Sequence, residues 1–244
     1  MYLYKYLPPD RIDVLENAAI RFTQPDQLND PFESRPCMTS IREHFRTAMT
    51  QKHPLLPPQN VEQLLSKTLE ELPAMLGATT TVLSLSKICD NQLMWSHYCD
   101  SHKGFVVGFD AESHFFSSMR VGPTEIKYSE ERACISVDAN KPSNEFIAGN
   151  KDFFFTKSKD WEYEQEIRVL ADAQQSSTTI SLDGNEVLLY SFPRSAVRTV
   201  ILGCRMQPNF ASKIETLFRS QYPSVEVSRA RLNDRAFKMD IDPL

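Results

Sequence analysis

Residues 159–170 read KDWEYEQEIRVL. The segment opens charged and aromatic and closes on an apolar run, so it marks the entry to a strand. On a strand, positions two apart share a face. Glu164, Glu166 and Arg168 then form one row, with Ile167 and Val169 on the other side. That row is either a solvated edge or the lining of a site. As an edge, an ion pair of Glu166 with Arg168 or a neighbour is worth about 0–1 kcal/mol at a surface.

Working outward, the strand EIRVLAD is followed by TTISL, EVLLYSF and RTVILG, and SVEVSRARL with AFKMDI makes a final strand pair. Upstream, YLYKYL, AIRFTQP and TTTVLSLSK alternate as strands do, and KGFVVGFD is a near-continuous apolar run expected of a buried strand. DRIDVLENA is expected to be helical with Asp10 as N-cap, and NQLMWSHYCDS helical with Asp90 or Asn91 at its cap. SNEFIAGNKDFFFTK and NFASKIETLFRSQY also read as helices. Residues 39–77 read as helix in two pieces, broken at PLLPPQN. The expected fold is α+β, with mostly antiparallel sheets flanked by helices. The whole of 1–244 is taken as a single domain with a helical insertion near 39–77 and no convincing linker.

Composition narrows the function classes. Hydrophobic residues make up 41% and charged residues 24% of the 244, the balance of an ordinary water-soluble core and surface. A net charge of -5 disfavours broad nonspecific binding to nucleic acid or anionic lipid. The segment after Met1 reads as neither a signal nor a transit peptide. No apolar run approaches the roughly 20 residues that span a bilayer. The five scattered cysteines include no C-x-x-C, which suits a reduced cytoplasm. With only 7 glycines there is neither G-x-x-x-x-G-K-[ST] nor G-x-G-x-x-G, which argues against a P-loop NTPase or a dinucleotide-binding Rossmann fold. G-x-S-x-G is also missing.

Two further stretches could carry chemistry. In FTQPDQLNDPFES, Asn29, Asp30 and Glu33 crowd the loop after a strand; the plain reading is an Asx-type turn ahead of Pro31. In SLSKICDNQLMWSHYCDSHKGF, Ser84 and Ser86 share a strand face, and Trp95 and Tyr98 lie three apart on a helix, as do Met94 and His97. His97, Cys99 and His102 match no zinc-ligand spacing and lack a fourth ligand, so no metal site is expected.

Taken in order, LYKYL, IRFTQPDQLNDPFE, LSLS, MWSHYCDSHKGFVVGF, IKYSE, WEYEQEIRVL and VILG resemble a bacterial family known as domain of unknown function 2971. Its most specific marks are N-D-P-F-E, M-W-x-x-Y and W-x-x-E-x-E-x-R; the segment 39–77 carries none. More distantly, the order of features resembles the ADP-ribosyltransferase superfamily. That resemblance implies an ADP-ribosyltransferase-like fold in which the first strand, with Lys5 and Tyr6, and the Ser84/Ser86 strand help bind NAD. Lys5 stands where the superfamily has His or Arg. Glu166 is then the catalytic carboxylate on the later strand, with Glu164 orienting the acceptor or taking its proton.

The chemistry is coherent, because breaking the nicotinamide glycosidic bond builds positive charge on the ribose, which a fixed carboxylate stabilises. Trp95 or Tyr98 would stack on the nicotinamide, and Ser86 and Asn29 would hold its amide. The implied protein is a cytoplasmic NAD-dependent transferase, a toxin or anti-phage effector. It uses NAD as substrate, no metal and no membrane, and has a protein or nucleic-acid acceptor. Two alternatives stand beside it. One is a non-catalytic interaction domain of a defence or regulatory system. The other is a metal-dependent nuclease with Asp110, Glu125 and Lys127 as a D…E-x-K set on adjacent strands.

Overall fold

Alternating apolar residues in the first strand, Leu3 inward on one face and Tyr4 and Tyr6 on the other, already require covering layers on both sides. The computed structural model, which describes residues 1–33, 35, 37–135 and 149–244, supplies them. The chain forms two compact units. The first comprises Met1–Phe22, Val82–Glu125 and Glu162–Leu244, the second Thr23–Thr81 and Ile126–Trp161. In chain order the strands are β1 (Tyr2–Leu7), β2 (Ala19–Phe22), β3 (Thr80–Ser86), β4 (Phe105–Asp110), β5 (Val121–Glu125), β6 (Lys127–Ser129) and β7 (Thr156–Ser158). They continue with β8 (Glu166–Asp172), β9 (Thr178–Leu182), β10 (Asn185–Ser191), β11 (Val197–Leu202), β12 (Glu226–Leu232) and β13 (Met239–Pro243).

The first unit is built on an eight-stranded sheet of order β13–β12–β11–β4–β1–β3–β8–β5. Antiparallel pairing joins β13 to β12, β11 to β4, β4 to β1, β1 to β3 and β8 to β5. The pair β11–β12 is parallel. A parallel pair needs a crossover. The helix Pro208–Gln221 provides it, burying Ala211, Ile214, Leu217 and Phe218 at spacings of one side of a helix. Along β4 the side chains divide: Phe105, Val107 and Phe109 enter one core with Leu3, Val200 and Leu202, while Val106 enters the other with Tyr6, Ile201 and Trp95. Both faces are covered, which is why KGFVVGFD runs almost uninterrupted in apolar residues. A second sheet, β2–β10–β9, is antiparallel throughout. The α+β class and the mostly antiparallel sheet agree with the sequence.

In the second unit the stretch 39–77 is two helices, Met38–Lys52 and Pro58–Gly77, with Pro58 in the first turn of the second. Arg42 and Arg46 both reach Glu62, tying the helices together. The remainder is a parallel pair of β6 and β7 and a short helix, Lys151–Phe155, that buries Phe153, Phe154 and Phe155. The expected helix over SNEFIAGNKDFFFTK is observed at that end; residues 143–148 of it lie outside the described residues.

One cap differs from expectation. Asp10 does not cap a helix: a 3₁₀ turn, Pro9–Ile12, starts after Pro8 and leads into Asp13–Glu16, so Asp10 falls inside the first turn. Pro9 sets the entry dihedral and has no N–H to satisfy, which starts the turn one residue early without a side-chain acceptor.

Candidate functional site

The segment that entered as one strand is two elements. Lys159–Glu164 is a 3₁₀ turn, Gln165 takes a left-handed backbone with φ 44°, and β8 begins at Glu166. Glu164 is therefore not on the strand, and the alternation that would put it in a row with Glu166 and Arg168 is broken at Gln165. Gln165 is held in place by its backbone: its N–H donates to Glu162 C=O at 3.2 Å and its C=O accepts from Lys87 N–H at 3.1 Å.

Nor is the row a solvated edge. Glu166 and Arg168 are 2% and 3% exposed and form a two-pronged ion pair, Nε to Oε1 at 2.9 Å and Nη2 to Oε2 at 3.1 Å. The ion pair considered from the sequence is formed, but inside the protein, where desolvation and not surface screening sets its energy.

Glu164 is 4% exposed and meets residues from two distant segments. Tyr98 Oη donates to its Oε1 at 2.5 Å, a length typical of a hydroxyl on a carboxylate. Ser86 Oγ donates to its backbone C=O at 2.7 Å while accepting from Ile88 N–H. The short helix Gln92–Tyr98 brings Tyr98 here. Asn91 caps it, accepting from Leu93 and Met94 N–H, and its Nδ2 donates to Tyr163 C=O at 3.1 Å. One side chain thus starts the helix and pins the 3₁₀ turn. Tyr163 Oη lies 3.1 Å from His97 Nδ1, and His97 sits edge-on to both Tyr98 and Tyr163. The result is an inward-facing carboxylate under a rim of one imidazole and two phenol rings.

Tyr6 and Trp95 stand behind this rim as packing. Their rings meet edge to face at 5.6 Å; Tyr6 Oη donates to Ile88 C=O and Trp95 Nε1 to Cys89 C=O, so both support the 88–91 turn. Burial pushes the Tyr6 phenol well above its usual value. Burial and neighbouring Cys89 push Tyr4 up to about 12. Trp95 is fully buried with a ring face on His102, so it offers no face to a ligand as stacking would require. Lys5 and Ser84 meet each other, Nζ donating to the Ser84 C=O at 2.9 Å. Asn29 is exposed and belongs to the second unit. Glu164, Ser86 and Tyr98 are thus joined by direct bonds, and Tyr6 and Trp95 adjoin them. Arg168, Asn91, Tyr163 and His97 complete the picture. Asn91 was legible as a cap, but its second bond to Tyr163 was not.

The nuclease arrangement is not formed. Asp110 ends β4 and Glu125 ends β5, with β1, β3 and β8 between, about 19 Å of sheet. Asp110 is taken by Arg198, whose guanidinium, with the Glu112 N–H, holds its carboxyl below the usual range. Glu125 pairs with Lys87. His97, Cys99 and His102 do not converge either: His97 faces Tyr163, Cys99 donates to Phe105 C=O, and His102 stacks on Trp95. Gly203 and Gly104 close the turn after this helix. A Cβ at Gly203 would lie 2.2 Å from His102 C=O and one at Gly104 2.0 Å from Leu7 C=O, so no larger residue fits.

An α+β protein with a buried carboxylate under an aromatic rim is the class these features define. The model of a family described as "Protein of unknown function (DUF2971)" matches residues 94–169. The match begins at M-W-x-x-Y and ends just beyond W-x-x-E-x-E-x-R, so it spans from the helix of Tyr98 to the strand of Glu166. No curated protein and no solved structure matches the chain. Among the described residues, no helix is long and apolar enough to cross a membrane.

Proposed function

We propose that the first unit is an NAD-dependent, ADP-ribosyltransferase-like enzyme in which Glu164 is the working carboxylate. The observation that carries this reading is the bond from Tyr98 Oη to a Glu164 side chain that is only 4% exposed. A carboxylate fixed by a hydroxyl and shielded from water stabilises a developing ribosyl cation more than one in solvent. The rings of His97 and Tyr163 beside it suit stacking of a flat pyridinium. In this reading Glu166 does not touch the ribose. Its charge is balanced by Arg168, and it positions the start of β8 and hence the turn that holds Glu164. The acceptor is a protein or a nucleic acid.

The test is nicotinamide release from NAD by the full chain, with and without protein and nucleic-acid acceptors. Release by the wild type is expected to fall about 10²–10³-fold in Glu164→Gln, the scale of losing one preorganised electrostatic group. No NAD binding by calorimetry and no nicotinamide release under any acceptor condition overturns the reading. A second reading, a non-catalytic interaction domain, is favoured by the Glu166–Arg168 pair, which satisfies both charges internally. Under it, Glu164→Gln lowers stability and no NAD-dependent signal exists to lose.

A further inference from the structure

The N-D-P-F-E mark, residues 29–33, takes no part in the Glu164 site, yet it builds a recess within the second unit. Asp30 is 4% exposed; its Oδ1 accepts from Phe32 N–H at 2.8 Å and its C=O from Glu33 N–H at 3.0 Å. This turn presents Phe32 and Glu33 to a cavity of about 270 Å³, at the small end of ligand sites. The opposite wall is the β6–β7 pair, whose parallel register sets Ser129 beside Ser158, with Thr156 and Lys157 on the same strand.

Charge decides what such a recess takes. Among the described residues that line it, five are carboxylic and three basic, all of the second unit; Glu33 is paired with Lys157 and Glu130 with Lys159, which leaves Asp30, Glu131 and Asp160 against Arg35 and Arg132. Two of the three basic groups are committed to the protein. Lys157 pairs with Glu33 at 3.4 Å, both side chains under a tenth exposed, and lies over the Trp161 ring at 5.0 Å. The Arg132 guanidinium lies over the Phe32 ring at 4.7 Å. Glu131 and Asp160 stand exposed at the edge of the recess. A concave wall with excess negative charge concentrates cations, and the hydroxyls of Ser129 and Thr156 suit an N–H donor.

We infer that this cavity is a binding site for a small organic cation, an amine or guanidinium compound, with Glu131 and Asp160 as its charge-recognising groups. The inference is independent of the Glu164 reading.

The experiment is calorimetric titration and thermal melting of the full chain with agmatine and cadaverine, using succinate and AMP as anionic probes. Saturable binding of at least one amine that raises the melting temperature is expected, with neither anion binding. The double variant Glu131→Gln/Asp160→Asn alters only exposed side chains, so its ligand-free melting temperature should match the wild type while its amine affinity falls at least about tenfold. No amine binding up to about 10 mM, preference for an anion, or unchanged affinity in the folded double variant overturns the proposal.

Discussion

A guanidinium and a carboxylate sealed from water, as Arg168 and Glu166 are, depend on each other. Each without the other would be a buried charge that has lost its two-pronged counter-ion, and removing one partner of such a pair costs about 3–5 kcal/mol. Arg168→Met is therefore expected to lower the unfolding free energy by about that much in urea titration. The double variant Glu166→Gln/Arg168→Met should recover a large part, since it leaves no orphaned charge. A double variant no more stable than Arg168→Met would show that the pair is not coupled. The sequence exposed this pair, because a carboxylate and a guanidinium two apart on a strand share a face. It did not reveal the burial, since the covering residues come from elsewhere in the chain. Nor did it reveal that Glu164 stands outside the strand. The left-handed turn falls on Gln165, a residue type with no preference for that region, and neighbouring bonds from Lys87 hold it there. Tyr98 and Glu164 are 66 residues apart, so no spacing rule could pair them.

Elements were more legible than sites, for local reasons. The helix break at His53–Pro57 is written in its prolines, and β4 in its run of apolar residues. The Asp10 cap failed where two successive prolines overrode a general preference. The helix Gln92–Tyr98 is the element through which the site is assembled, and Asn91 gives it two separable functions. Asn91→Ala loses both the cap and the bond to Tyr163 C=O and should cost about 1 kcal/mol. Asn91→Asp keeps the capping acceptor and loses only the donor. It is expected to stay closer to the wild type in stability while still loosening Tyr163 from the helix. Denaturant titration reads the first effect, and a shift of the His97 imidazole signals, through its contact with Tyr163 Oη, reads the second. Equal stability losses in the two variants would place the whole effect in the Tyr163 bond and none in the cap.

The organisation into two units left no trace in the sequence as a linker, because the crossings fall at or inside ordered elements. Phe22/Thr23 follows β2 directly, Thr81/Val82 lies within β3, and Trp161/Glu162 lies within the 3₁₀ turn. With no segment rich in proline, glycine or serine at these points, composition cannot mark them. The first unit carries a property that belongs to its packed interior as a whole. Tyr6 and Cys99 share one buried cluster with Trp95 and Val106, and burial pushes both acids up from their ordinary values of 10.0 and 9.0. Tyr4, packed against that cluster, is pushed to about 12. Each folded value lies above the unfolded one, so the fold favours the protonated form. The stabilisation is complete below the unfolded values and is lost as pH rises from about 9 towards the folded values. Alkaline unfolding is therefore expected to begin above about pH 9–10. Tyrosinate absorbance from the buried phenols should appear together with loss of the circular dichroism signal and not before it. Tyr6→Phe removes one of these groups and should move the onset to higher pH, although loss of the bond to Ile88 C=O lowers its stability at neutral pH. Ionisation of all 8 tyrosines with the dichroism intact would mean that these phenols are not held neutral by the packed core.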